Sequence, residues 1–287
     1  MEISMHERKR ALPYAGFYIN LDRSTDRRRR MIAEIEKHRL SPLYRRFPAA
    51  DGNVLRVRKP AITPQEIGCF TSHYLLLQQN LDAKSHLHVI EDDTVLSKFT
   101  EPVLSRTIES RVVNDFDLIF TDIFVPFDLE VIHGFYRRCQ GVFGAGKKDL
   151  TFPVIDISGM AFSGTSSYLV NRRSIGKVHG LLDAALKTGP ERPLDLFLAV
   201  AADQGALRVG CVIPFVTSFR LDSIVNTTIP KKHSMEGEMR LGVLRQAFFV
   251  EANWRRCRSA MSRMRKRTAM TEQERVILSV LKLSMFP

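Results

Sequence analysis

The stretch His86-Leu87-His88-Val89-Ile90-Glu91-Asp92-Asp93 joins a short apolar run directly to three consecutive carboxylates. The apolar run, residues 87–90, is typical of a buried β-strand. Three adjacent carboxylates repel one another, and a buried strand offers them no counter-charge. A divalent cation at the end of the strand would remove this repulsion, and oxygen ligands suit Mg²⁺ or Mn²⁺. From the triplet alone, a solvated acidic turn is the alternative.

The bulk composition is that of a soluble globular protein with an excess of positive charge. The chain has 287 residues, of which 44% are apolar and 26% are charged, and this length allows one large or two small domains. The formal net charge of +12 indicates an anionic partner such as nucleic acid, a membrane surface or a phosphorylated substrate. The four cysteines are widely spaced and form no zinc-type cluster in sequence, so free thiols in a reducing compartment are expected.

The N-terminal residues 1–10 are charged and precede no apolar run of signal-peptide length. The sequence also contains no apolar stretch as long as a membrane-spanning helix. We therefore expect a cytoplasmic protein whose membrane contact, if any, is peripheral and on the inner face of the cytoplasmic membrane.

Two further apolar runs also end in polar side chains. Residues 15–21 predict a strand that ends at Asn20 and Asp22, and residues 116–122 predict a strand that ends at Asp122. In open α/β sheets, ligands bind at the C-terminal ends of the strands. The sequence therefore predicts an α/β fold in which these polar groups and the acidic triplet meet at one edge.

A helix is predicted from Thr63 onward, through residue 81. Thr63 fits the N-cap, Pro64 the first helical position, and Glu66 the reciprocal position of a capping box. Glu66 therefore has a complete structural explanation and is not expected to be catalytic.

The same helix carries two pairs of residues spaced four apart. Gly68 and Ser72 are small and predict a close approach by a strand or a ligand. Cys69 and His73 have the spacing of two metal ligands, but no further soft ligand lies nearby in sequence. We therefore expect His73 to be satisfied within the fold or to contact a substrate, and we do not predict zinc.

Two more positions, Arg27 and Asp51, have both a purely structural and a functional interpretation. Arg27 begins a run of four arginines at the start of a helix, which is the unfavourable end of the dipole for cations. An anionic ligand at this strand–helix turn would compensate, and a solvated basic face is the alternative. Asp51 precedes Gly52 and, taken alone, reads as a turn residue.

The second half of the chain contains fewer diagnostic motifs. Residues 123–156 predict an irregular loop or lid, and residues 160–170 a strand pair or a strand that enters a helix. Helices are predicted at 172–187 and from Pro193 through Asp195 onward, and a last strand at 211–216. An acid in a first helical turn, such as Asp195, complements the helix dipole and has a structural explanation of its own.

The C-terminal residues differ in composition from the rest. Residues 240–267 contain nine lysines or arginines, one acid and the single tryptophan. A basic amphipathic helix of this kind can lie on an anionic membrane. The alternatives are a helix packed on the domain and, less favoured, a nucleic-acid-binding segment. The apolar face would comprise Leu241, Leu244, Phe248, Phe249, Met261 and Met264.

These residues together resemble family 25 of the glycosyltransferases. Tyr18-Ile19-Asn20-Leu21-Asp22-Arg23-Ser24-x-Asp26-Arg27 is similar to the opening of that family. Glu66-Ile67-Gly68-Cys69-x-x-Ser72-His73, followed by Glu91-Asp92-Asp93, resembles its EIGCxxSH motif and acidic triplet. The resemblance covers roughly residues 15–230. Weaker similarities are Ala50-Asp51-Gly52, Gly164-Thr165-x-x-Tyr168-Leu169, Leu194-Asp195 and Ser223-Ile224.

The resemblance implies a GT-A-type, Rossmann-like fold with helices on both sides of the sheet. It implies one catalytic domain, residues 1–230, and we expect a basic helical C-terminal extension at residues 231–287. It further implies metal-dependent, inverting transfer of a hexose from a UDP-sugar. Galactose is the sugar expected to be transferred, and glucose is the alternative. The acceptor would be a glycan or glycolipid of lipopolysaccharide, lipooligosaccharide or another cell-surface glycan, reached through membrane contact at residues 240–267.

The family pattern, together with the positions of polar residues at the ends of strands, suggests roles for single residues. Glu91 and Asp93 are expected to bind Mn²⁺ or Mg²⁺, and His233 is a candidate to complete that shell. Asp92 is expected to contact the donor or share in metal binding. Asp195 is the first choice for the base that deprotonates the acceptor, and Asp122 the second. The other expected donor contacts are Asn20, Leu21, Arg27, Asp51, Gly68, Ser72 and His73.

Three other function classes compete with this interpretation. A non-catalytic glycosyltransferase-like scaffold would require a damaged metal site, whereas the triplet is intact. A nucleic-acid-binding protein would fit the net charge, but the sequence contains no RNP, KH or zinc-finger pattern. A phosphoryl-transfer enzyme would use the same metal, but no Walker-type glycine-rich loop is present.

Overall fold

A seven-stranded sheet carries the fold and determines where the polar strand ends meet. The computed structural model describes residues 14–57, 60–126, 128–140 and 152–220, together with 242, 245–246, 248–252 and 262. In chain order, the elements are β1 (Tyr14–Asn20), α1 (Thr25–Lys37), β2 (Tyr44–Pro48), α2 (Pro64–Gln78), β3 (His86–Glu91), β4 (Thr94–Leu96), α3 (Thr100–Glu109), a 3₁₀ helix (Val112–Asp115), β5 (Leu118–Phe120), α4 (Leu129–Gln140), β6 (Val154–Asp156), β7 (Ser167–Val170), α5 (Ile175–Thr188), α6 (Leu194–Asp203), β8 (Val209–Val212) and β9 (Thr217–Phe219).

The strand order of the sheet is β2-β1-β3-β7-β5-β8-β6. Strand β1 is parallel to both β2 and β3, and Ile19 lies opposite Glu91 in that register. Strand β7 is antiparallel to β3 and to β5, so β1, β3 and β5 run in the same direction. The three strands predicted to end in polar groups therefore end at the same edge, and the predicted α/β class is confirmed.

The sheet separates two hydrophobic clusters, and alternate residues of each strand contribute to opposite clusters. In β3, Leu87 and Val89 belong to one cluster with residues of α2, α4, α5 and α6. Ile90 belongs to the other cluster, which includes residues of α1 and α3. Helices therefore cover both faces, as the family resemblance implied. This alternation also decides on which face the residues just beyond β3 lie.

Two sequence-based predictions about local structure can be compared directly with the elements. The capping box of α2 is confirmed, because Thr63 accepts a hydrogen bond from Glu66 N and Glu66 Oε2 accepts one from Thr63 N at 2.9 Å. The prediction of an irregular segment at 123–156 is wrong in part, because α4 and β6 lie within it. Phe135 and Cys139 are the buried residues of α4. Their spacing of four is typical of one face of a helix, but the glycines and charged residues nearby made the segment look irregular in sequence.

Part of the predicted C-terminal extension packs on the sheet. Phe248 lies against Phe135 and Phe215, with ring centroids 5.0 and 5.4 Å apart. Phe249 is buried and forms a β-bridge with Phe215. The described part of this segment thus uses two of the six apolar residues of the predicted membrane face to bury a core. Its other described residues are Gly242, Arg245, Gln246, residues 250–252 and Ser262.

None of the described helices combines the length and the apolar character needed to cross a membrane. Cys69, Cys139 and Cys211 are free thiols, as predicted, and Cys257 lies outside the described residues. Gly141, Gly144, Gly146, Lys147 and Lys148 of the predicted loop, together with His233, Ser223 and Ile224, also lie outside them.

Candidate functional site

A single pocket at the C-terminal edge of the sheet collects the predicted donor contacts. It lies between the ends of β1 and β3, the turn at residues 49–53 and one side of α2. Glu91 of the acidic triplet also lines it, whereas Asp93, Asp122 and Asp195 are not among the lining residues. All eight residues predicted to contact the donor line this pocket: Asn20, Leu21, Arg27, Asp51, Gly68, Ser72, His73 and Asp92.

Asn20 positions Asp92 and has little capacity left for a ligand. Its Nδ2 donates to Asp92 Oδ2 at 2.6 Å and to Ser24 O at 3.1 Å. Its Oδ1 accepts from both Arg28 Nε and Arg46 Nε, each at 3.1 Å. The side chain is only 1% exposed. The geometry therefore favours a positioning role for Asn20 over the direct uridine contact expected from sequence.

Arg27 bridges two carboxylates of the triplet. Its Nη2 lies 2.8 Å from Asp92 Oδ1 and 3.1 Å from Asp93 Oδ2. Burial raises the pKa of Asp92 to about 6, although the charge of Arg27 and the hydrogen bond from Asn20 act against that rise. Two carboxylates thus converge on one positive group beside the pocket, which is the electrostatic arrangement that a divalent cation also requires.

Glu91 faces away from Arg27 and toward α2. Its Oε1 accepts a hydrogen bond from Thr165 Oγ1 at 3.0 Å and lies 3.8 Å from His73 Nε2. Burial alone would raise the pKa of Glu91, but the nearby His73 and the Thr165 hydroxyl outweigh it and lower the pKa. His73 Nδ1 in turn is hydrogen-bonded to the Tyr168 hydroxyl at 2.6 Å. Glu91 is therefore ionised, and its side chain is held by His73 of α2 and by Thr165 of the segment before β7.

Gly68 and Ser72 hold the turn at residues 50–52 against α2. A Cβ on Gly68 would lie 2.8 Å from both Ala50 O and Gly52 N, so only glycine fits. Ser72 Oγ accepts a hydrogen bond from Ala50 N at 2.9 Å and donates one to Gly68 O at 2.6 Å. The close neighbour predicted at this face is thus a turn of the chain itself, although both residues also line the pocket.

Asp51 combines the turn role with a position on the pocket wall. Its Oδ1 accepts hydrogen bonds from the backbone and side-chain nitrogens of Asn53 at 3.1 and 3.0 Å. Its Oδ2 pairs with the exposed Arg23. Both carboxylate oxygens are therefore engaged, and Arg23 adds a positive group to this side of the pocket.

Asp195 lies in the first turn of α6, as predicted, and is half-buried. Its two oxygens accept hydrogen bonds from Gly164 N at 3.0 Å and Leu196 N at 2.8 Å. Burial, with a smaller contribution from the charge of Glu91, raises its pKa despite these two amides. A carboxylate with a raised pKa and a fixed orientation is suited to accept a proton at neutral pH.

Asp122 does not have the surroundings of a catalytic base. It is 0% exposed and accepts a hydrogen bond from Arg245 Nε at 2.7 Å and one from Ser166 Oγ at 3.1 Å. Arg245 is itself only 2% exposed. Because both oxygens are committed and water does not reach them, the geometry favours a structural ion pair over the second-choice base expected from sequence.

The sequence reasoning missed the residues that orient the acids. Thr165 and Tyr168 lie within the weaker GTxxYL similarity, but their partners Glu91 and His73 are 74 and 95 positions away. Arg46 supports Asn20 from β2 and stands in no quoted motif. Cys69 lines the same pocket, and its pKa is raised by burial and by the charges of Glu91, Asp195 and Asp93. Among the missed residues, only Thr165 and Tyr168 stood in a segment, GTxxYL, whose similarity could have identified them, whereas Cys69 already stood in the EIGCxxSH motif.

Two comparisons with known proteins bear on the family of this chain. A family model described as glycosyltransferase family 25 (LPS biosynthesis protein) matches residues 15–184. A search among curated proteins found no match. The matched range contains β1, the whole pocket wall of α2 and the acidic triplet, and it covers more than half of the chain. The chain therefore belongs to glycosyltransferase family 25.

Proposed function

We propose that this family 25 glycosyltransferase transfers a hexose, galactose in the first instance, from a UDP-sugar to a glycan or glycolipid acceptor. Membership of the family supports a role in lipopolysaccharide biosynthesis. The proposed reaction is metal-dependent and inverts the configuration at the transferred carbon. The proposed fold is of the GT-A type, in which the acidic triplet at the end of β3 takes the position of the metal-binding motif.

The convergence of Asp92 and Asp93 on Arg27 carries this proposal. The Arg27 guanidinium lies within 3.1 Å of both carboxylates. When an anionic diphosphate binds, it can attract the guanidinium, and a cation can then take the place of Arg27 beside the carboxylates. In this proposal Arg27 turns toward the diphosphate, because its side chain is 27% exposed and lines the pocket. The acids that Arg27 leaves would then face a divalent cation.

The residues present fit Mn²⁺ or Mg²⁺. Carboxylate oxygens are the ligands that these hard cations prefer, and the Asp93 side chain is 21% exposed beside Arg27, which lines the pocket. We infer that Asp93 and Asp92 bind the metal, and that Glu91, which was expected with Asp93, supports the site from the side of His73. When bound, the metal acts as a Lewis acid that stabilises the departing UDP. Asn20 keeps Asp92 oriented throughout, since its amide holds Asp92 Oδ2.

Asp195 is the proposed base for the acceptor hydroxyl. Inversion requires one in-line attack, so one carboxylate must take the acceptor's proton while the bond to UDP breaks. The raised pKa of Asp195 makes proton acceptance more favourable than for an ordinary aspartate. The charge of Glu91, which acts on Asp195, adds negative potential where an oxocarbenium-like transition state develops positive charge.

A test of UDP release would decide the proposal. The protein is incubated with UDP-galactose, UDP-glucose and other UDP-sugars in the presence of Mn²⁺, and UDP is quantified. We expect release with one donor, loss of release when the metal is chelated, and a large loss in Asp93→Ala. Release from no UDP-sugar, or full activity in Asp93→Ala, would contradict the proposal.

The C-terminal residues form the second part of the proposal. We propose a catalytic domain over residues 1–230, against which Arg245, Phe248 and Phe249 pack, followed by a basic segment that contacts the anionic inner face of the cytoplasmic membrane. The positive charge of residues 253–267 supports this contact. Deletion of residues 253–287 should reduce flotation with anionic vesicles and preserve UDP release. Undiminished vesicle binding would remove the membrane role.

A further inference from the structure

A thiol, an imidazole and a carboxylate meet at the inner wall of the pocket. Cys69 and His73 lie one turn apart on α2, and Glu91 ends the neighbouring strand β3. One ligand atom from each residue lies within 4.8 Å of the other two. From sequence spacing, only Cys69 and His73 could be recognised as a possible pair of ligands. Glu91 lies beside them because α2 packs on the sheet.

His73 supplies the second observation, which points to a missing partner. The side chain is 1% exposed, and its Nε2 makes no hydrogen bond with any described residue. If Nδ1 carries the proton and donates it to Tyr168, the Nε2 lone pair faces a carboxylate 3.8 Å away. If Nε2 carries the proton, the same 3.8 Å is too long for a hydrogen bond. In both neutral tautomers Nε2 makes no hydrogen bond, which is unfavourable for a buried nitrogen.

The three ligands match the preferences of zinc. Zinc binds thiolate sulfur at about 2.3 Å and imidazole nitrogen or carboxylate oxygen at about 2.0–2.2 Å, usually in a tetrahedral arrangement. Ligand atoms in such a site are about 3.4–3.6 Å apart, as these bond lengths require. The distance from His73 Nε2 to Glu91 Oε1 is 3.8 Å and all three ligand atoms lie within 4.8 Å of one another, so side-chain rotations that bring them closer would close the site. Tyr168 would hold the other ring nitrogen, as outer-shell partners of metal-bound histidines do.

We propose that Cys69, His73 and Glu91 form a binding site for Zn²⁺ that is separate from the metal site of the transfer reaction. Binding displaces the thiol proton of Cys69 and draws Glu91 toward α2. The fourth zinc position opens to the pocket, since all three ligands line it. The regulatory part of this proposal rests on the proposed transferase function. Bound zinc inhibits the transfer reaction because it occupies the inner wall of the donor pocket.

Cobalt substitution tests the site without any activity measurement. Zn²⁺ is spectroscopically silent, whereas Co²⁺ in a thiolate site gives an intense near-ultraviolet charge-transfer band. We expect this band in the full-length protein, its displacement by one equivalent of Zn²⁺, and its loss in Cys69→Ser. Cys139→Ser is the matched control, because Cys139 is a buried free thiol in α4 that does not line the pocket. Cys257→Ser controls for the remaining C-terminal cysteine.

The outer shell provides an independent variant that keeps every ligand. Tyr168→Phe should lower Zn²⁺ affinity by about 10- to 100-fold, as loss of an outer-shell partner does, and should retain the charge-transfer band. Cys69→Ser should lower affinity more than Tyr168→Phe does. No thiolate band in the wild type, or a band that persists in Cys69→Ser, would overturn the proposal.

Inhibition is measured as the Zn²⁺ concentration that halves UDP release, relative to the zinc-free rate of each variant. This concentration should rise at least about tenfold in Cys69→Ser, and not in Cys139→Ser. If the band is present but zinc inhibits both variants equally, the regulatory part of the proposal is wrong. If no UDP-sugar is turned over, the cobalt result still decides the zinc site, so failure of the transferase proposal and failure of this one are distinguishable.

Discussion

Replacing Asp122 with asparagine separates a structural role from a catalytic one. The substitution keeps the side-chain shape but removes the counter-charge of Arg245, which is only 2% exposed. Loss of one partner from a buried ion pair leaves the other charge uncompensated and costs about 3–5 kcal/mol. Contacts of the guanidinium with the rings of Phe124 and Phe219, at 4.3 and 4.8 Å from their centroids, remain and favour the lower end of that range.

Urea unfolding followed by circular dichroism measures this loss. With an m value of about 3 kcal/mol/M, a loss of about 3 kcal/mol lowers the urea midpoint by about 1 M. Asp183→Asn is the matched control, because its partner Lys187 is 74% exposed and the change in midpoint should be much smaller than for Asp122→Asn. The double variant Asp122→Leu/Arg245→Met should recover most of the loss, since apolar replacement of both partners is close to neutral.

The kinetic result decides between the two roles. We expect Asp122→Asn to retain a turnover rate close to that of the wild type under conditions where it remains folded. An unchanged urea midpoint together with a loss of turnover of about 100-fold or more would be the behaviour of a general base. That combination would refute the structural interpretation of the pair with Arg245.

Three further predictions concern the pocket. Asp195→Asn should lower turnover by about 10²- to 10⁴-fold under conditions where it remains folded, and the acid limb of the wild-type rate profile should lie above the ordinary aspartate range; a limb at ordinary aspartate values would contradict its role as base. In metal-free protein, the pKa of Asp92 rises from 3.8 to about 6, so the folded state retains a proton that the unfolded state has released. The free energy of unfolding should therefore fall by at most about 3 kcal/mol as the pH rises from about 4 to above 6, and Asp92→Asn should abolish this fall in urea titrations; an unchanged fall would show that another group causes it. Gly68→Ala should destabilise the protein by about 1–3 kcal/mol, because its Cβ would meet Ala50 O at 2.8 Å, whereas Gly180→Ala on α5, where a Cβ meets nothing within 4 Å, should stabilise it by up to about 1 kcal/mol; equal midpoints would contradict the packing argument.

Short-range patterns predicted the frame of the site because they act locally. An apolar run that ends in acids needs only strand geometry to place those acids at the sheet edge, and the register of Ile19 opposite Glu91 brings β1 and β3 together. The capping box of α2 likewise depends on residues three apart. The family motifs then supplied the pocket wall, and all eight expected donor contacts line one pocket.

Partners distant in sequence could not be predicted in the same way. Arg245 lies 123 positions from Asp122, and it stands in a segment whose basic composition indicated a solvated or membrane-bound helix. Nothing in the local pattern distinguishes an arginine that pairs inside the fold from the others around it. Likewise, Asn20 was expected to contact the ligand because it ends a strand, but only three-dimensional packing reveals that four neighbours already use its amide.

The alternation of side chains along β3 resolves the acidic triplet into two separate chemistries. Leu87 and Val89 face α2, so Glu91, two positions further on, emerges on that face beside His73. Ile90 faces α1, so Asp92 emerges on the opposite face and meets Arg27 at the start of α1. Asp93, beyond the strand, turns back to the same guanidinium. Adjacent carboxylates that should repel are thus divided between two counter-groups. A hard cation would replace Arg27 at Asp92 and Asp93, whereas Zn²⁺ would bind on the α2 face, where Glu91 meets Cys69 and His73. Loss of Mn²⁺-dependent UDP release in Asp93→Ala together with retention of the Co²⁺–thiolate band in the same variant would be the direct demonstration of this division.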